Sequence, residues 1–225
     1  MWNYSNIVKG YLFTPFLFFV LLSIQIIAES PEKTSSKIIE RKEMIASASE
    51  IFDVNPAYLS AIIYTERTKN YDWTDEAFDE VIARVGQNSS LGFAQVKMKT
   101  AYFIEKQLSD STSKFYCGRK YENILEVSKT PYLLIEKLKN DSLNILYAAA
   151  YLRVIQSFWS INGYSIDKKA EIIGSLYQLG LFYPNGKVRE PHFYPKENEF
   201  GAKVRESSVL FKHFGNESFN SLMLE

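Results

Sequence analysis

The chain has 225 residues, of which 46% are hydrophobic and 15% aromatic, enough apolar material to fill one core. Its 26 Lys and Arg offset 26 Asp and Glu, which argues against the broad basic surface of a nucleic-acid-binding protein, so no nucleic-acid partner is expected. Cys117 has no partner for an internal disulfide, and His192 and His213 lack zinc-ligand spacing, so neither a metal nor another cofactor is expected.

From Gly10 to Ala28 no residue is charged; Lys9 precedes the run and Glu29 follows it. This pattern predicts a secretory signal over residues 1–28, with Ala28 as the last residue before cleavage. The run is also close to the minimum for spanning a bilayer, so a retained anchor with membrane association through residues 10–28 is the alternative. Both place the remainder outside the cytoplasm: in the cell envelope or periplasm, or secreted. Residues 29–54 read as a linker and leading helix, with a polar connector over Ser30 to Ser36 and a helix from Ser36 to Phe52. Residues 55–225 read as one domain.

Asn55-Pro56 supplies an N-cap followed by proline at the first helical position, and predicts a helix to about Thr68. Leu59, Ile62 and Ile63 recur on one face of it, and Glu66 continues the row. A carboxylate on an apolar row loses water, and the last turn of a helix opposes negative charge; both favour the protonated form that a general acid needs. Next comes an acidic loop with Asp72, Asp75, Glu76, Asp79 and Glu80, whose spacing matches no calcium loop, then a short β-like run, Val81 to Val85.

Helical spacing resumes from Phe93 to Leu108, and Ser109 to Lys129 is irregular. Pro131 opens a short helix ending near Asn140. Asp141 or Ser142 caps the next one, Leu143 to Phe158, whose apolar positions almost encircle it and mark it as central. Asn162-Gly163 ends it. A helix from Asp167 to Leu179 stops at Gly180, a left-handed cap. Pro184, Pro191 and Pro195 make Tyr183 to Gly201 a surface loop and cleft wall, and the tail from Ala202 is helical. The fold expected is mainly α, with a small β or loop element beside a cleft.

Four segments then stand in a telling order. "NPAYLSAIIYTER", "SSLGFAQVKMKTA", "LNILYAAAYL" and "SLYQLG" together resemble the lysozyme-like superfamily, in particular the soluble lytic transglycosylase and goose-type lysozyme group. The resemblance covers roughly Pro56 to Gly180. It implies a peptidoglycan-cleaving enzyme acting on glycan strands at the MurNAc–GlcNAc bond, with Glu66 as general acid and base. Gln95 matches the glutamine lining the sugar cleft, with Gly92 a substrate-binding residue of the same segment; Ser89 or Ser90 matches the substrate-binding serine near the acid, and Tyr177 matches the tyrosine that orients the catalytic carboxyl. Arg67 stands where the family has Ser, Phe93-Ala94 where it has Leu-Met, and Gln178 where it has Asn. A cation beside the acid lowers its pKa, although neighbouring helical residues point about 100° apart. Two alternatives stay open: a hydrolytic muramidase using Asp72, Asp75 or Asp79 as second carboxylate, and a membrane-anchored, non-catalytic glycan-binding or scaffold module.

Overall fold

The computed structural model describes residues 30–70 and 90–214. The export segment, the acidic loop and the Val81–Val85 run lie outside the described residues. Within them the protein is mainly helical with one two-stranded sheet, as the sequence pattern predicts.

Helix α1 (Pro31–Glu40) occupies the stretch expected to be a connector. Ser30 explains it: its side chain accepts from the Lys33 amide at 3.3 Å, with Pro31 in the first turn. The single helix expected over Ser36–Phe52 is broken at Arg41, where φ −107° and ψ 14° leave helical geometry, and resumes as α2 (Lys42–Phe52). Ile38, Ile45 and Phe52 are fully buried, so these leading helices share the core of the rest. Helix α3 (Pro56–Asn70) opens as predicted, with Asn55 Oδ1 accepting from the Ala57 amide at 2.8 Å.

Strands β1 (Ser90–Leu91) and β2 (Val96–Lys97) pair antiparallel, Ser90 opposite Lys97 and Leu91 opposite Val96. Residues 92–95 form the turn between them, so the helix expected from Phe93 begins only at Met98, as α4 (Met98–Ser109). The reason is local: Gly92 (φ +70°) and Gln95 (φ +53°) both take conformations no α-helix contains. After an irregular stretch with one 3-10 turn (Arg119–Tyr121), α5 (Pro131–Lys139) is capped by Thr130.

Helix α6 (Asp141–Ile161) runs about 30 Å through the middle of the molecule. Its cap is Asn140, not Asp141 or Ser142: the Leu143 amide donates to Asn140 Oδ1 at 3.0 Å. Helices α2, α3, α4 and α5 pack on it, as does α7 (Ala170–Leu179), and its residues are buried on every side. Helix α7 starts three residues after the expected Asp167. Gly180 then turns the chain with φ +77° but ψ 167°, so the positive φ is as expected while the geometry is not the left-handed helical cap. The proline-rich loop is shorter than expected, because Asn198 caps α8 (Glu199–Ser208) by accepting from the Gly201 amide at 2.8 Å.

One buried carboxylate ties three helices together. Glu105 of α4 is fully buried and accepts from Ser128 N at 2.8 Å, Ser128 Oγ at 2.7 Å, Lys137 Nζ at 3.0 Å and the Tyr147 hydroxyl. A charge removed from water is tolerated when its oxygens are filled in this way.

Candidate active site

Glu66 lies in the closing turns of α3. Leu59, Ile62 and Ile63 are fully buried, but Glu66, which continues their row, is only half-buried. The apolar row therefore ends at a carboxylate that keeps access to solvent, as a group meeting a substrate must.

Arg67 goes elsewhere. It is 1% exposed, its Nη1 donates to the Phe93 carbonyl, and its guanidinium lies 4.9 Å from the Phe93 ring centre. Arg41 stacks on the same ring at 4.4 Å, while its Nε donates to Asp141 Oδ2 at 2.7 Å. The residue next to Glu66 is thus turned into the core, where it grips the β1–β2 turn.

That turn is fixed from a second side by Asn144, a fully buried polar residue of α6. Its Oδ1 accepts from Ala94 N at 2.6 Å, and its Nδ2 donates to Leu91 O at 2.8 Å and Leu138 O at 2.9 Å. Gly92 is required at the closest approach: a Cβ there would sit 2.1 Å from Leu138 O and 2.5 Å from Asn144 Nδ2. With the backbone clamped, Gln95 holds a left-handed conformation at a cost of about 1 kcal/mol. Its amide N–H and its Nε2 both donate to Gly92 O at 3.1 Å. Its buried Oε1 has no hydrogen-bond donor among the described residues. Ser90 is half-buried in the ladder, and Ser89, Asp72, Asp75 and Asp79 lie outside the described residues.

Tyr177 lies in the last turn of α7. Its ring packs 5.4 Å from that of Tyr151 on α6. Burial pushes the Tyr177 phenol far above its ordinary pKa, and the Glu66 carboxylate is the next contributor in the same direction. Glu66 and Tyr177, more than a hundred residues apart in sequence, are therefore within electrostatic reach. Burial likewise raises the Tyr151 phenol. The substituted Gln178 accepts from Asn198 Nδ2 at 2.9 Å, which ties the end of α7 to the cap of α8.

The structure joins the turn carrying Gly92 and Gln95 to the end of α3 through Arg67, and the Glu66 carboxylate acts electrostatically on the Tyr177 phenol. Asn144 and Tyr151 belong to the same assembly; the sequence marks them within the segment LNILYAAAYL but assigns neither a role. A polar residue inside a helix apolar on every side was the signal for Asn144, since burial without partners would be costly. Among the described residues no cluster of His, Cys, Asp or Glu can hold a metal, and no helix is long and apolar enough to cross a membrane. No protein-family model matches the chain, and no curated protein matches it.

Proposed function

We propose that the protein is an exported peptidoglycan-cleaving enzyme, a lytic transglycosylase that cuts the MurNAc–GlcNAc bond with Glu66 as acid and then base. The observation that carries this reading is Glu66, half-buried at the end of a row whose other members, Leu59, Ile62 and Ile63, are fully buried. The clamped turn joined to the same helix end supports it.

Glycosidic cleavage needs a proton on the leaving oxygen as positive charge develops at the anomeric carbon. Glu66, protonated, gives that proton to the oxygen of the departing sugar. The resulting carboxylate then takes the proton of the muramic acid 6-hydroxyl. That oxygen attacks the anomeric carbon and closes a 1,6-anhydro ring, which restores the protonated Glu66 and consumes no water. Tyr177 orients the carboxyl between the two transfers, since a general acid works only within hydrogen-bond reach of its target. The unpartnered Oε1 of Gln95 is an acceptor for a sugar hydroxyl or N-acetyl N–H.

The test is mass analysis of the fragments that the full chain releases from purified peptidoglycan. Anhydro ends are expected. Reducing ends alone would replace the transglycosylase with a hydrolase using a second carboxylate, and the absence of any fragment would leave a binding or scaffold module.

A further inference from the structure

A cavity of about 180 Å³ opens at the far end of α6, lined by Trp159, Tyr164, Lys169, His192 and Phe193 among others. It is separate from the candidate active site. Trp159 is eight residues beyond Tyr151 on one continuous helix, about 12 Å along its axis. The proline-rich loop brings His192 and Phe193 to the cavity, and Gly180, shortly before that loop, sits beside Tyr151, where a Cβ would lie 3.8 Å from the hydroxyl.

Its walls combine ring faces with a few polar groups. His192 packs 5.7 Å from the Trp159 ring, and Phe193 meets Tyr164 edge-on at 4.7 Å. Phe193 is nonetheless 73% exposed, although the chain has ample core in which to bury a phenylalanine. Trp159 is 2% exposed, and its indole N–H has no acceptor among the described residues. A buried donor without an acceptor carries an uncompensated desolvation cost, which a ligand oxygen can relieve. Lys169, an exposed residue, also lines the cavity.

We propose that this cavity is a second glycan subsite that takes a single pyranose ring. A sugar ring offers a C–H face to aromatic side chains and, at its edge, oxygens for N–H donors. A purely aliphatic ligand would leave the indole N–H unpaired. The volume lies below that of pockets for drug-sized ligands, about 300–1,000 Å³, and suits one ring. The proposal rests on the glycan reading of the active site and extends it: the enzyme holds its strand at a point away from the bond it cuts.

The test follows the indole N–H resonances of the isotope-labelled full chain during titration with the N-acetylglucosamine trimer, Trp159 being assigned by the signal lost in Trp159→Phe. The Trp159 signal is expected to move, and Phe193→Ala is expected to raise the trimer concentration needed by about three- to tenfold. Phe193→Ala is also expected to raise KM on intact peptidoglycan without changing kcat. If the wild type cleaves peptidoglycan while the Trp159 signal stays still, the subsite is wrong and the enzyme reading stands. If the signal moves and Phe193→Ala weakens the titration but nothing is cleaved, the subsite stands and the enzyme reading falls. A signal that moves identically in wild type and Phe193→Ala overturns the subsite, and neither movement nor cleavage overturns both.

Discussion

Replacing Asn144 with Ala tests whether the turn beside Glu66 is held from the core. Three backbone groups lose their partner: the Ala94 N–H at 2.6 Å and the Leu91 and Leu138 carbonyls at 2.8 and 2.9 Å. Each is a buried polar group left unsatisfied, at about 1–3 kcal/mol. A water entering the vacated space would recover part of this. The expected loss is about 3–4 kcal/mol, a large share of a typical domain's stability of about 5–15 kcal/mol. With a urea slope of about 2 kcal/mol per molar, the unfolding midpoint followed by circular dichroism should fall by about 1.5–2 M. Gly92→Ala would force the same contact apart from the other side, so the double variant should lose less than the sum of the two singles. A midpoint shift for Asn144→Ala under about 0.3 M would refute the clamp, because no buried partner could then have been lost.

Two further outcomes follow from the same contacts. Arg67→Lys keeps the charge but loses the planar fork that lies on Phe93 and reaches its carbonyl, so it should cost about 1–3 kcal/mol by urea unfolding; an unchanged midpoint would show that the guanidinium shape is irrelevant. Burial pushes the Cys117 thiol from 9.0 up to about 11. Between these values the folded protein binds more protons than the unfolded one, so this group's contribution to stability is full below pH 9 and lost as the pH rises towards 11. Half-buried in the native protein, Cys117 should alkylate more slowly at pH 8 than in denaturant, whereas equal rates in both states would contradict its partial burial.

Features governed by neighbouring residues were legible in the sequence. Asn55-Pro56 and Pro131 open helices where expected, because capping is settled within a turn. The all-round apolar pattern of α6 translated directly into its central position. Features governed by distant contacts were not legible. The break at Arg41 accompanies an ion pair with Asp141, and the delayed start of α4 comes with a turn clamped by Asn144 and Arg67. The candidate site divides the same way. Glu66, Gln95, Tyr177 and the segment carrying Asn144 and Tyr151 each sit in recognisable local wording, whereas the contacts by which Asn144 holds the turn exist only once α6 is packed against its neighbours. Arg67 shows the difference most clearly: beside Glu66 in sequence it reads as an electrostatic threat to the acid, yet in the fold its side chain is buried against Phe93.

The central claim is that Glu66 supplies the proton that breaks the glycan strand. It is tested most directly by the loss of turbidity of a peptidoglycan suspension treated with the full chain or with its Glu66→Gln variant, after both are shown by circular dichroism to be folded. The wild type should clear the suspension, and the variant, nearly isosteric but unable to donate that proton, should fall by at least about a hundredfold. Equal clearing by the two proteins, or none by the wild type, would contradict the claim.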